Sequence, residues 1–472
     1  MANKGDIRKS EIQPVFPKNW KAIPFKEGLD KGGKYPKLNS SAYLEIGAYP
    51  IIDQGEKFIA GFTNEEGHLY DGELPVVIFG DHTRNIKFID FEFAVGADGT
   101  KILKPKEEND PRFFFFYLKA LRIPSFGYSR HFKVFEYLDL PIPPLPEQQR
   151  IVAKLDAIFG YLDVLNEKLE RIPELLKNFR QQVLTQAVTG ELTKEWREGN
   201  NIDFAFYKQI ENYNLKKKKP VKARGQKGLD EKLSLFKLPK EWKWIPQLKI
   251  VKDGANSISA GPFGTIFKAK DFRDKGVPII FLRHVKKEGF NQNKPKLMDE
   301  VVWEKFHKEY SVSGGELLVT KLGDPPGEAT VYPKDIGIAM ITPDVMKSDL
   351  NENFALPAYV SYFFNSSICK EFIANISFGM TRLRIDLTMF KSFPIPLPTI
   401  EEQTEIVKCV EVLFNLVDRI EDQFESLKSK IDQLPQAVLA KAFRGELVDQ
   451  EVKEYVREVG ELGMVAEGNF NK

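Results

Sequence analysis

The chain predicts an α+β protein built twice over: two mixed α/β domains, each leading into one long helix. Three observations carry this. First, Glu147-Gln148-Gln149-Arg150-Ile151-Val152 returns as Glu402-Gln403-Thr404-Glu405-Ile406-Val407. The same offset holds without a gap through Phe159/Phe414, Asp163/Asp418, Val183-Leu184/Val438-Leu439 and Gly190-Glu191-Leu192/Gly445-Glu446-Leu447. Second, apolar residues inside both copies recur in alternating steps of four and three. Third, each copy follows a separate segment that lacks this periodicity. The predicted order is a first domain with a Pro-rich exit at 1–146, a helix at 147–192, a basic linker at 193–236, a second domain at 237–400, a second helix at 401–447 and a tail at 448–472.

The two domains share a frame. Pro17-Lys18-Asn19-Trp20-Lys21-Ala22-Ile23 matches Pro239-Lys240-Glu241-Trp242-Lys243-Trp244-Ile245 at their starts, and Phe126-Gly127-Tyr128-Ser129-Arg130 matches Phe378-Gly379-Met380-Thr381-Arg382 near their ends. Their interiors differ. In the first, Pro75 to Asp81 and Phe88 to Val95 read as short strands; in the second, Gly261-Pro262-Phe263-Gly264 precedes a strand-like run from Val277 to Arg283. Phe263, flanked by glycines, reads as a core residue in preference to a stacking wedge. The run Lys216 to Lys219 with Lys222, Arg224 and Lys227 reads as a solvated linker in preference to a phosphate-binding patch.

The first helix carries its seam on Ile151, Leu155, Ile158, Leu162, Leu165, Leu169, Ile172, Leu176, Phe179 and Val183. The second carries it on Ile406, Val410, Leu413, Val417, Ile420, Phe424, Leu427, Ile431, Leu434 and Val438. A heptad pattern sustained this long predicts helices packed at a coiled-coil seam, each with the other copy as partner. Prolines at 141, 143, 144 and 146, and at 394, 396 and 398, delay each helix until an acidic first turn. Gly190 and Gly445 suit left-handed caps at the exits. Pro173 and Pro435 fall inside the pattern and predict kinks. At 1.5 Å per residue the seam spans roughly 48 Å, more than one ~34 Å turn of B-DNA, so it has the length of a ruler. The competing reading is two helices of an ordinary helical domain.

A chain of 472 residues, 42% hydrophobic and 12% aromatic, has ordinary globular content and room for two or three cores. The two cysteines, Cys369 and Cys409, are too few for a disulfide framework and predict a reducing compartment. Met1 to Ser10 has no apolar core of signal-peptide length, and no apolar run approaches membrane-spanning length, which predicts a soluble, cytoplasmic protein. A net charge of +2 identifies no ligand; a nucleic-acid binder of this balance must concentrate its basic residues on one face.

Catalytic motifs fail on their own chemistry. Asp324-Pro325-Pro326-Gly327 places glycine where an amino-methyltransferase needs an aromatic to stack on the flipped base, and reads as a Pro-Gly turn. Glu241-Trp242-Lys243 fits a nuclease Glu-x-Lys, but its repeat partner Asn19-Trp20-Lys21 lacks the acid. No phosphate-binding Gly-x-x-x-x-Gly-Lys-Ser/Thr is present. His82 and His131 lie near polar loops and suggest no metal site. The expectation is a non-catalytic chain without cofactor or metal.

With duplicated Pro-Lys-x-Trp starts, Pro-Ile-Pro exits, Glu-Gln-x-x-Ile-Val helix starts and Gly-Glu-Leu ends, the sequence resembles the specificity subunit of type I restriction–modification systems over nearly its whole length. The resemblance implies two target-recognition domains reading the halves of an asymmetric bipartite DNA site, with antiparallel helices setting the spacer about an internal pseudo-twofold. It implies two methyltransferase subunits using S-adenosylmethionine, and motor-nuclease subunits using ATP and Mg²⁺. Docking falls to the seam, represented by Ile151, Leu155, Ile158, Leu162, Leu165 and Leu169 with Ile406, Val410, Leu413, Val417, Ile420 and Phe424. It also places the 448–472 tail near the first domain.

Under that reading, Arg130 and Arg382 stand where a guanidinium could read a guanine edge while Ser129 or Thr381 holds a phosphate; the alternative is an arginine paired with a carboxylate of its own domain. Arg84, Asn85 and Lys87, the cluster Arg283, His284, Lys286 and Lys287, and Arg384 are further candidates, each either a DNA contact or part of a solvated loop. Two other classes remain open: an enzyme with a cryptic methyltransferase or nuclease site, and a coiled-coil scaffold without a nucleic-acid role.

Overall fold

The computed structural model describes residues 9–30, 35–96, 98–125, 127, 129–220, 235–262, 269–306, 308–377, 379 and 383–448. The chain forms two compact units, Met1–Glu170 with Phe424–Lys472, and Arg171–Gln423. Segments read in chain order are thus regrouped. Each unit holds one domain, part of the helix that follows it and part of the other copy.

In the first unit the Val76–Gly80 strand pairs antiparallel with Ile86–Ile89 and Thr100–Leu103. Successive side chains of a strand point to opposite faces, and here both faces are apolar. Val77 and Phe79 pack with Phe113, Phe114 and Phe135, while Val76 and Ile78 pack with Ile52, Phe93 and Val95. A second small sheet sets Tyr49–Ile52 antiparallel to Gly61–Thr63 and parallel to Ala94–Val95. The run read as one strand from Phe88 to Val95 is therefore split between two sheets. The Pro111–Ala120 helix buries Phe113 to Phe116 and is apolar nearly all round, as a core helix must be. Asp110 caps it by accepting from the backbone N–H groups of Arg112 and Phe113. Lys21–Pro24 pairs with Asp139–Ile142 and joins the two ends of the domain.

The second unit repeats this plan. Val277–Ile280 runs antiparallel to Lys296–Met298 and parallel to Ala339–Ile341. Leu317–Thr320 takes the place of Val76–Gly80, antiparallel to Ala329–Val331 and Val345–Ser348. Lys243–Pro246 pairs with Pro394–Leu397. The interiors diverge in residues and the second unit adds strands to both sheets, but the central pairings recur, and the shared Pro50-Ile51-Ile52 and Pro278-Ile279-Ile280 are a sequence signal for them. The 193–236 stretch is not a linker over its first half, because the Ala205–Lys216 helix buries Phe206, Tyr207 and Ile210 in this unit's core. Residues 221–234, with Lys222, Arg224 and Lys227, lie outside the described residues.

The first long helix does not kink at Pro173; it ends. Leu145–Glu170 stops at Arg171, and Ile172–Thr189 begins anew with the proline in its first turn, where no N–H is needed. Ile400–Phe443, by contrast, is continuous through Pro435. Gly190 (φ 82°) and Gly445 (φ 75°) adopt the left-handed conformation expected of caps. Along the seam Ile151, Leu155, Leu162, Leu169, Ile406, Val410, Val417 and Phe424 are buried, Ile158, Leu165 and Leu413 are half-buried, and Ile420 is 38% exposed. Within the second unit Arg180 bonds to Asp418 and Glu421, while Thr193 and Arg197 bond to Glu402. There the two helical segments run antiparallel.

Candidate nucleic-acid interface

In the first domain three loops are drawn to the end of the central strand. Asp81, buried, donates its N–H to the Gly99 carbonyl (2.8 Å). Its carbonyl accepts from the N–H of His131 (2.8 Å), and its carboxylate accepts from the N–H of Phe132 (2.8 Å). Gln54 ties in the loop after Tyr49–Ile52: its Oε1 accepts from the His82 N–H (3.1 Å), its Nε2 donates to Asp98 O (2.8 Å), and its carbonyl accepts from Asn85 Nδ2 (3.1 Å). The segments around 54, 81–85, 98–100 and 129–132 therefore form one bonded surface. Loops on such a frame are where recognition residues concentrate. Asp81, Gln54 and His131 organise it; sequence reasoning passed over the first two and saw His131 only as an isolated histidine.

The candidates in this surface have different surroundings. Arg130 is exposed, beyond a turn at Gly127 (φ 71°). Ser129 is half-buried, and its Oγ has no hydrogen-bond partner in the protein. Arg84, itself left-handed (φ 65°), is exposed but donates from Nη1 to the Ile123 carbonyl (2.8 Å). Asn85 is committed to Gln54. Lys87 is buried. Its ammonium donates to the carbonyls of Asp53 (2.9 Å) and Lys57 (2.5 Å), with the Asp53 carboxylate 3.8 Å away. Burial lowers its pKa and Asp53 partly restores it. As placed, Lys87 fastens the 53–58 loop and presents no charge to solvent.

The second domain ties the equivalent pieces together. Lys321, just past the central strand, donates its N–H to Asp344 O (2.8 Å) and accepts from the Ile385 N–H (3.1 Å). Leu322–Gly323 pairs with Leu383–Arg384. Residues 383–385 thus join the loop after the central strand, as His131 does through Asp81. Arg384 is exposed on this ribbon. Thr381, Arg382 and Phe263 lie outside the described residues. Asp324 to Gly327 forms the expected turn, with Gly327 at φ 89° and its N–H on Thr320 O (2.9 Å).

The cluster from Arg283 to Lys287 does not form one cationic surface. Arg283 is exposed, stacks on Phe281 (4.6 Å) and donates to Lys294 O (3.1 Å). His284 is 2% exposed, and its Nδ1 accepts from the Phe281 N–H (3.2 Å), which requires that nitrogen unprotonated. Burial, with the charge of Arg283, lowers its pKa. Lys286 lies 3.8 Å from Glu328, while Lys287 donates its N–H to Glu328 (2.9 Å) and sets its ammonium 3.6 Å from Glu288.

The repeated sequence motifs form a clamp in each unit. Trp20 Nε1 donates to Glu147 (3.0 Å), and Trp242 Nε1 donates to Glu402 (2.9 Å). Gln148 donates to the carbonyls of Glu108 (2.9 Å) and Pro143 (2.8 Å) and accepts from the N–H of Asp110 (2.7 Å). Gln403 donates to Phe354 O (2.9 Å) and Pro398 O (3.0 Å) and accepts from the N–H of Leu356 (2.8 Å). Each Glu-Gln pair thereby locks a helix start to its domain. Glu241, the candidate nuclease acid, lies 3.6 Å from Arg197 within this clamp. Helix exits close onto the same motifs: a Cβ at Gly190 would lie 2.6 Å from Pro239, and one at Gly445 would lie 2.5 Å from Pro17. Among the described residues no group of three His, Cys, Asp or Glu side chains could hold a metal ion, and no helix is long and apolar enough to cross a membrane.

Two domains with the same central strand pairings, each clamped to a helix start and each presenting a bonded loop surface, define a duplicated recognition protein. Residues 5–174 and 264–428 match the type I restriction modification DNA specificity domain, and the chain belongs to that family. It is 30% identical to the type I restriction enzyme EcoBI specificity subunit of Escherichia coli over 66% of this chain and 59% of that protein. It is 21% identical to the MjaVIII specificity subunit of Methanocaldococcus jannaschii over 89% of this chain and 92% of the relative. The match spans less than two thirds of the first of these relatives. In fold it is similar to the HsdS subunit from Thermoanaerobacter tengcongensis, with a TM-score of 0.54 at 16% identity, covering 93% of this chain and all of that one.

Proposed function

We propose that this chain is the sequence-reading subunit of a type I restriction–modification complex. Each domain reads one half of an asymmetric bipartite DNA site, and the repeated helices, related by a pseudo-twofold, set the distance between the halves. The observation that carries this reading is the repeated tie between the loop after the central strand and a late segment of each domain, 131–132 in the first and 383–385 in the second, in domains whose loop residues differ. Phosphate contacts position a protein on DNA while base contacts specify it, and a common frame with divergent loops suits that division. Arg84, Arg283 and Arg384 are the exposed side chains proposed to face the duplex, with Arg382 and Ser129 proposed from the sequence motif and Lys286 and Lys287 tied in part to carboxylates.

The chain carries no catalytic constellation of its own in this proposal. Two methyltransferase subunits bring S-adenosylmethionine, motor-nuclease subunits bring ATP and Mg²⁺, and the complex works in the cytoplasm. Large apolar side chains left exposed on the helices, Leu175 (63%), Val412 (62%) and Leu416 (42%), support helix docking by the methyltransferases. The test is methylation mapping in cells that express this chain with its methyltransferase subunits. The expected result is methyladenine in a two-part asymmetric motif with a fixed gap, absent when the chain is deleted. A continuous motif, or one unchanged by the deletion, refutes the proposal.

A further inference from the structure

The loop surface of the first domain contains two lysines that the motifs did not single out. Lys37 comes from the segment before the first small sheet and donates its ammonium to the Thr100 carbonyl (3.1 Å). Lys101 follows on the Thr100–Leu103 strand, with its ammonium 5.8 Å from the centre of the Phe132 ring. Phe132 is held by Asp81, as is His131 next to Arg130, and Asp81 in turn holds Gly99. This chain of bonds brings together the three separate segments that carry Lys37, Lys101 and Arg130. Burial and then the charge of Lys101 lower the Lys37 pKa; Asp98 and Asp81 raise it, and Arg130 lowers it further. The Asp81 carboxylate is occupied by the Phe132 N–H, and Asp98 is exposed at the rim. Among the described residues none of the three cations forms an ion pair within 4.0 Å.

We infer that Lys37, Lys101 and Arg130 form a clamp for a DNA backbone phosphate, so that Arg130 positions the duplex and does not read a base. The inference rests on the proposed DNA-binding role. Cations gathered from separate segments suit the singly charged oxyanion of a backbone phosphodiester, which accepts charge-assisted hydrogen bonds from ammonium and guanidinium groups alike. A bidentate guanine contact needs the planar guanidinium, whereas a phosphate clamp needs charge at that place.

The experiment uses the full-length chain purified with its methyltransferase subunits, and measures binding by fluorescence anisotropy over a range of salt concentrations. One duplex carries the methylated motif of the native complex; the other, of equal length, lacks it. The expected result is that Lys37→Gln, Lys101→Gln and Arg130→Gln each weaken both duplexes by a similar factor. The slope of log affinity against log salt should fall by up to about 0.9 for the phosphate released, and Arg130→Lys should stay within a few-fold of the native complex. Unchanged melting curves confirm that the variants fold. If Arg130→Gln and Arg130→Lys both lose only the specific duplex, Arg130 is a base reader and the clamp is overturned. Native binding that all three Gln variants leave intact also overturns it. A native complex that binds neither duplex removes the DNA-binding proposal, and the clamp with it.

Discussion

Replacing Arg197 with methionine removes the cation from a carboxylate that has no water to turn to. Glu402 is 0% exposed, and the Arg197 side chain is 9% exposed. Arg197 Nη1 donates to Glu402 Oε1 (2.5 Å), with Thr193 Oγ1 on the same oxygen (2.8 Å) and Trp242 Nε1 on the other (2.9 Å). Removing one partner of a buried pair costs about 3–5 kcal/mol because the remaining charge is stranded. Two neutral donors stay on Glu402, so the expected loss lies near 3 kcal/mol, the lower end of that range. Methionine keeps much of the stem's packing, which makes charge the main change. The assay is urea denaturation followed by tryptophan fluorescence, since Trp242 sits in the clamp. Lys21→Met is the control: its pair with Glu108 is 62% exposed on both sides and contributes about 0–1 kcal/mol. Pairing Arg197→Met with Glu402→Gln should recover part of the loss, because the neutral amide still accepts from Trp242. A single Arg197→Met variant no less stable than the Lys21→Met control would refute the claim that this buried ion pair holds the second domain to its helix.

Gln148→Ala and Gln403→Ala each strand a part-buried backbone N–H and two carbonyls; each should cost about 1–3 kcal/mol by chemical denaturation, and near-neutral variants would remove the clamp interpretation. His284 has a folded pKa below the ordinary 6.5. The unfolded chain therefore binds its proton first, and stability should fall as pH drops through about 6.5, until the folded pKa is passed. Comparing urea midpoints at pH 7.5 and 5.5 tests this: in His284→Gln the decline should be shallower, and an identical decline would clear His284 of any part in it. Inserting one heptad into each long helix should move the methylated motif to a wider gap; an unchanged gap would sink the ruler proposal.

Much of this arrangement was legible locally. Strict repetition marked the two frames, and heptad steps marked the helices, because helical periodicity is written in neighbouring residues. The break after Glu170 was harder to see. Pro173 and Pro435 both interrupt the heptad pattern, yet one opens a new helix and the other sits inside a continuous one, and local propensity does not separate those outcomes.

By itself the sequence determined the repeat, the helices, their left-handed glycine ends and the family these imply, since each rests on spacing along the chain. Only the tertiary structure decided which charges face solvent. Lys87 and Arg84 are three residues apart, at the start of a strand and in the polar loop before it, yet one is buried beneath the carbonyls of 53–58 and the other is exposed. It also showed that two interiors sharing little beyond a Pro-Ile-Ile run keep the same central strand pairings, because pairing depends on which positions fill each face more than on residue identity. Lys37, Lys101 and Arg130 make the same point: no sequence pattern joins them, and the bonds through Thr100, Gly99 and Asp81 do.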